Sequence, residues 1–127
     1  MDIFSLRQEY KLHSLDTADV AESPLEQFRL WFAEARGAEI LEPNAMILST
    51  VNADGQPSAR TLLLKALDDR GFTFFTSYLS RKAGELADNP RAAMTFLWKE
   101  LERQVKITGT VEQTTREESR EYFAVRP

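Results

Sequence analysis

Arg60-Thr-Leu-Leu-Leu-Lys65, the turn cluster Asp68-Asp-Arg-Gly71, Phe72-Thr-Phe-Phe-Thr76 and Ser80-Arg-Lys82 form the stretch that decides the fold. Its first and third pieces are rich in aliphatic, aromatic and β-branched residues, and the cluster between them is a turn former, so two successive strands are expected. Cations punctuate the stretch. Arg60 opens one strand, Lys65 closes its core, and Arg81-Lys82 stand where a helix begins. Strand-end cations, the Thr76 hydroxyl and a Ser-Arg-Lys helix start could together enclose a phosphate, helped by free N–H groups and the helix dipole. Solvated Lys and Arg at strand ends would leave the same pattern, and spacing alone keeps both readings open. Alternation puts Arg60, Leu62 and Leu64 on one face and Thr61, Leu63 and Lys65 on the other. One pocket for both cations therefore requires a strand end or a bulge, and two neighbouring anionic groups suit the pair better.

Working outward, Ala45–Val51 reads as a buried strand, Asn52-Ala-Asp-Gly55 as a hairpin turn and Pro57–Ala66 as the return strand. Phe72–Thr76 is the third strand. Ser80 caps a short helix running through Ala87, which Asn89-Pro90 ends. Arg91–Trp98 and Glu100–Gln113 are the fourth and fifth strands, the latter with Arg103, Val105, Ile107, Gly109 and Val111 on one face. Upstream, Ser23, Pro24 and Glu26 make a capping box, and Leu25, Phe28, Trp31, Phe32 and Ala35 form an apolar helical stripe with Gly37 as C′ terminator. Trp31 and Trp98 read as packing residues. Thr115 with Glu118 predicts a final helix carrying Tyr122, Phe123 and Val125. Residues 1–22 are expected to be a mobile terminal segment. The pattern predicts one mainly β domain over residues 1–127, a small antiparallel, Greek-key-like barrel flanked by helices.

Composition narrows the chemistry. With 16 basic and 20 acidic residues the net charge is −4, which argues against non-specific nucleic-acid binding and makes a local basic site point to a small anionic ligand. The absence of cysteine excludes disulfides and thiol catalysis, and a single histidine, His13, excludes a multi-histidine metal site. No metal is expected. No apolar run is long enough to span a bilayer and no signal peptide is evident, so a cytoplasmic protein is expected.

Arg60-Thr-Leu-Leu-Leu-Lys65, Phe75-Thr76, Ser80-Arg-Lys82, Asn89-Pro-Arg91 and Leu101-Glu-Arg-Gln-Val105 resemble the pyridoxamine 5′-phosphate oxidase family. The likeness begins at Leu6-Arg-Gln-Glu-Tyr10 and ends at Tyr122-Phe123 and Arg126-Pro127. It implies an FMN-binding split β-barrel working as a homodimer, with FMN at the subunit interface. The implied reaction oxidises pyridoxamine or pyridoxine 5′-phosphate to pyridoxal 5′-phosphate, with O2 as acceptor and H2O2 released. By the resemblance, Arg60, Thr61, Leu62, Leu63, Leu64, Lys65, Phe75, Thr76, Ser80, Arg81 and Lys82 match flavin-binding positions. Gln104 matches a flavin contact made from the neighbouring subunit. Lys65, Tyr122 and Arg126 match residues that grip the substrate phosphate, and Arg7, Gln8, Glu9 and Tyr10 a segment that folds over the substrate. No side chain is expected to be catalytic in itself, because the flavin carries the redox chemistry.

The family's chain continues past the position of Pro127, so a C-terminally truncated piece with little oxidase activity of its own is expected. The alternatives are a catalytically impaired FMN-binding barrel and a split-barrel flavin reductase with another substrate.

Overall fold

The computed structural model describes residues 23–75, 81–113 and 122–126, without the side chains of 75, 81–83 and 122–126. Helix α1 (Pro24–Gly37) begins where the sequence places it: Ser23 is extended, its hydroxyl accepts the Glu26 N–H at 3.4 Å, and Pro24 takes the first helical position. Its end differs from expectation. The Ile40 N–H donates to Ala35 O and the Glu39 N–H to Arg36 O, the paired closure of a Schellman motif, so the left-handed C′ residue is Glu39 (φ 58°) and not Gly37. Gly37 stays helical with nothing within 4 Å of a Cβ built on it. Gly37→Ala is therefore expected to raise stability by about 0.5–1 kcal/mol, and Glu39→Gly to do so by a similar amount. Urea denaturation of each variant checks both signs.

The chain forms two compact units. The first comprises Met1–Pro43 and Trp98–Arg103. In it Phe28, Ala35 and Trp98 are buried, and the Trp98 ring lies 5.7 Å from Phe28 and 6.2 Å from Phe32. The indole N–H donates to Pro43 O at 2.8 Å, which satisfies the one polar atom of a ring that is 1% exposed. Arg103 lies 4.6 Å from the centre of the Trp31 ring and pairs with Glu34.

The second unit, Asn44–Leu97 and Gln104–Pro127, carries the sheet. Strands β1 (Ala45–Val51), β2 (Pro57–Asp68), β3 (Gly71–Phe75), β4 (Arg91–Trp98), β5 (Arg103–Gln113) and β6 (Tyr122–Arg126) close a barrel in the order β1-β2-β3-β6-β5-β4. Helix α2 (Arg81–Asp88) packs against β1 and buries Glu85 and Leu86. The hairpin turn fixes the β1–β2 register: Asn52 Oδ1 accepts the Asp54 and Gln56 N–H groups at 2.9 Å, and Gly55 takes φ 86°. Met46, Leu48, Leu64, Phe72, Phe74, Met94, Phe96, Ile107 and Val111 fill the interior. Burial along β5 follows the expected face, with Ile107 and Val111 buried.

A second expectation fails. Residues 122–126, read as part of a final helix, form strand β6, paired with β3 from Phe72↔Val125 to Phe75↔Tyr122 and with β5 from Thr110↔Arg126 to Gln113↔Phe123. A capping box specifies where a helix can start, but Tyr-Phe-Ala-Val is equally strand-forming, and two neighbouring ladders with open hydrogen-bonding groups decide the matter. Thr115 and Glu118 lie outside the described residues, as does the expected mobile segment 1–22.

Candidate functional site

The flavin positions expected on β2 follow the pleat as far as Leu64. Arg60 is opposite the fully buried Leu48 in the ladder and so shares its inward face; Leu62 is half-buried and Leu64 buried, whereas Thr61 is exposed. Leu63 is half-buried. The β2–β3 register then slips, with Leu64 opposite Phe74 and Ala66 opposite Thr73, so Lys65 is the extra residue of a β-bulge. A bulge was one of the two devices that the opposite-face spacing of Arg60 and Lys65 required. Lys65 is exposed at this break in the alternation.

Arg60 is embedded in a polar network. One terminal nitrogen donates to Leu48 O at 3.0 Å and to Thr50 Oγ1 at 2.9 Å; the other donates to Ser58 Oγ at 2.9 Å and to Glu85 Oε2 at 3.4 Å. Both hydroxyls pass the charge on: Ser58 donates to Glu85 Oε2 at 2.8 Å, and Thr50 donates to the same oxygen. Each hydroxyl thus accepts from the guanidinium and donates to the carboxylate, which closes a ring across β1, β2 and α2. Thr50 and Glu85 are buried, at 0% and 6% exposure, while the Arg60 side chain retains 21%. Hydrogen bonds from Thr50 and Ser58, together with the Arg60 charge, hold the Glu85 carboxyl below the usual carboxylate range against the opposing effect of burial.

Arg81 and Lys82 open α2, and Phe75 ends β3. Phe75 is opposite Tyr122 in the ladder, so an expected flavin position and an expected substrate position are neighbours across β3 and β6. Gln104 is exposed near the start of β5. Tyr122 and Arg126 are the two ends of β6. Four residues along a strand separate their Cα atoms by roughly 13 Å, against roughly 6 Å along a helix axis, so the backbone does not bring this pair together. Arg7, Gln8, Glu9, Tyr10, Thr76 and Ser80 lie outside the described residues. An open groove of about 560 Å³, bordered by Ser49, Thr50, Val51, Pro57, Arg91 and Thr108 among others, contains none of the expected cofactor positions and shares only Thr50 with the Arg60 network.

Thr50, Ser58 and Glu85 were not singled out in the sequence. The hairpin signal at 52–55 could have found the first two, because it sets Thr50 opposite Ser58 and Leu48 opposite Arg60. Glu85 carries no such signal, since its partners are far away in the chain.

A family profile described as pyridoxamine 5′-phosphate oxidase matches residues 32–127. The pyridoxine/pyridoxamine 5′-phosphate oxidase of Cupriavidus necator is 60% identical over 122 residues, which are 96% of this chain and 58% of the relative. The chain thus spans a little over half the length of that relative. The solved structure of PhzG from Burkholderia lata in complex with tetrahydrophenazine-1-carboxylic acid superposes with a TM-score of 0.79 at 31% identity, covering 84% of this chain and 54% of PhzG. A pyridoxamine 5′-phosphate oxidase-related, FMN-binding protein from Nostoc punctiforme shares the fold at a TM-score of 0.61 and 23% identity, over 73% of this chain and 48% of that one.

Proposed function

The chain belongs to the pyridoxamine 5′-phosphate oxidase family, and from that premise we propose that it is the FMN-binding part of an oxidase of phosphorylated B6 vitamers. The observation that carries this reading is the placement of four cations in one compact unit: Arg60 and the bulged Lys65 on β2, and Arg81-Lys82 at the start of α2. Such a donor set fits a phosphorylated flavin, because two strand cations and a cationic helix start suit the phosphate's charge. Arg60, Thr61, Leu62, Leu63, Leu64, Lys65, Phe75, Thr76, Ser80, Arg81 and Lys82 would hold the cofactor, joined by Gln104 of the partner subunit in a cytoplasmic homodimer. FMN, when bound, supplies the two-electron redox chemistry. The protein's own residues contribute position and charge: Lys65, Tyr122 and Arg126 toward the substrate phosphate, Arg7, Gln8, Glu9 and Tyr10 as a cover over the substrate. Pyridoxine 5′-phosphate gives up two electrons and two protons to become the aldehyde, and O2 takes them up as H2O2.

Titration of the 127-residue chain with FMN, followed by quenching of flavin fluorescence, tests the reading. Saturable quenching is expected. Lys82→Ala should weaken it about tenfold or more, since one charge-assisted contact is lost. Absence of quenching, or a Lys82→Ala variant that binds as well as the parent, would refute the cradle. The likeness to PhzG favours a second reading, an oxidase of another substrate on the same barrel; comparing pyridoxine 5′-phosphate with other electron donors in the assembled oxidase separates the two.

A further inference from the structure

Glu85 belongs to none of the motifs that carry the family resemblance, yet it is the most buried charged side chain among the described residues and the hub of a closed polar ring with Thr50, Ser58 and Arg60. It accepts from three side chains on two strands while sitting on the helix whose first two residues are Arg81 and Lys82. Four of the five Arg60 N–H groups are committed to Leu48 O, Thr50, Ser58 and Glu85, which leaves Nε–H as the donor still available among the described residues. An arginine held this way cannot swing; its orientation is decided by the ring.

We propose that Glu85 is a positioning residue for phosphate recognition: by tying Arg60 of β2 to helix α2 it fixes the free edge of the guanidinium and the cationic start of α2 in one arrangement. This rests on the flavin reading above. The alternative roles for a carboxylate at this place make different predictions. If it merely filled space between α2 and the strands, its loss would loosen binding of any flavin. If it acted chiefly through its charge, removing that charge would raise the affinity for an anion, because Arg60 would be less neutralised. Positioning predicts a loss confined to the phosphate-bearing ligand, since only the phosphate reads where the cations stand.

The experiment compares FMN with riboflavin, which lacks the phosphate, as ligands of the parent chain, Glu85→Gln and Glu85→Asp. Glutamine keeps the size and removes the charge, and aspartate keeps the charge but shortens the reach. The parent is expected to prefer FMN. Glu85→Gln should lose about tenfold in FMN affinity while riboflavin affinity changes less than twofold. Glu85→Asp should recover part of the FMN affinity. Amide hydrogen exchange, a readout that needs no ligand, should show faster exchange of the α2 amides in Glu85→Gln with the β1, β2 and β4 amides unchanged. Parallel losses for both ligands, an unchanged FMN affinity, a gain in FMN affinity or an unaltered α2 would each overturn the proposal. A parent chain that binds FMN no better than riboflavin would overturn the phosphate cradle as well. If the parent prefers FMN and Glu85→Gln does so equally, only the role of Glu85 fails.

Discussion

Trp98→Ala is expected to cost about 3–5 kcal/mol of stability. The residue is 1% exposed, its ring meets Phe28 and Phe32, and its indole N–H is paired with Pro43 O. Truncation removes the apolar contact, leaves a cavity between two phenylalanines and strands a carbonyl. The first unit is small, with Phe28, Ala35 and Trp98 as its buried apolar residues among those described, so little else can close over the gap. Trp98→Phe separates the contributions. It keeps most of the ring contact and loses the hydrogen bond, so a cost of about 1–2 kcal/mol is expected. Guanidinium denaturation of the three proteins, read by near-ultraviolet circular dichroism, gives both values. A loss under 1 kcal/mol for Trp98→Ala would mean that the aromatic cluster does not hold the unit together.

Arg60→Met is expected to have the next largest effect. It leaves the Glu85 carboxylate buried with Thr50 and Ser58 as neutral donors but without the guanidinium that balances its charge. Glu85→Gln in the same chain should restore much of the loss, because the buried charge is then absent; the two changes are expected to be strongly non-additive. The pH dependence has a definite sign. The folded-state pKa of Glu85 lies below its ordinary value of 4.5, so the ionised form is stabilised by folding. That contribution is fully present above about pH 4.5 and is lost as pH falls through the lower folded value. In Arg60→Met the arginine's share of the shift disappears and the acid limb should move to higher pH. Thermal melts from pH 3 to pH 7 check this, and an acid limb unchanged in Arg60→Met would show that the pair does not control it. Asp68, held low by its hydrogen bonds from Arg70, titrates in the same direction but is exposed at the β2–β3 turn and should contribute little.

Much of the architecture was legible in the chain. The capping residues Ser23 and Pro24 start α1, the Asn52–Gly55 turn sets the β1–β2 register, and alternation along β5 predicts which residues face inward. These are local signals, and each concerns residues within a turn or two of one another. Two element ends depart from their local signals. Gly37 looked like the terminator of α1, but the Schellman closure falls two residues later on Glu39, because the helix ends where its carbonyls find N–H partners and not at the first permissive residue. Tyr122–Arg126 looked helical from an upstream cap, but the strands on either side offered it two ladders.

The sequence by itself determined the cationic punctuation of β2 and α2, the exclusion of thiol and multi-histidine chemistry, and the family resemblance, because each depends on residue identity and order alone. Only the tertiary structure decided that Lys65 is a bulge residue, that Tyr122 and Arg126 stand at opposite ends of a strand, and that Arg60 is bound to a glutamate 25 residues away. The physical reason is the same in all three cases. Register slips, ladder pairing and buried charge pairs are settled by which groups remain unsatisfied once distant segments meet, and local spacing does not fix that accounting.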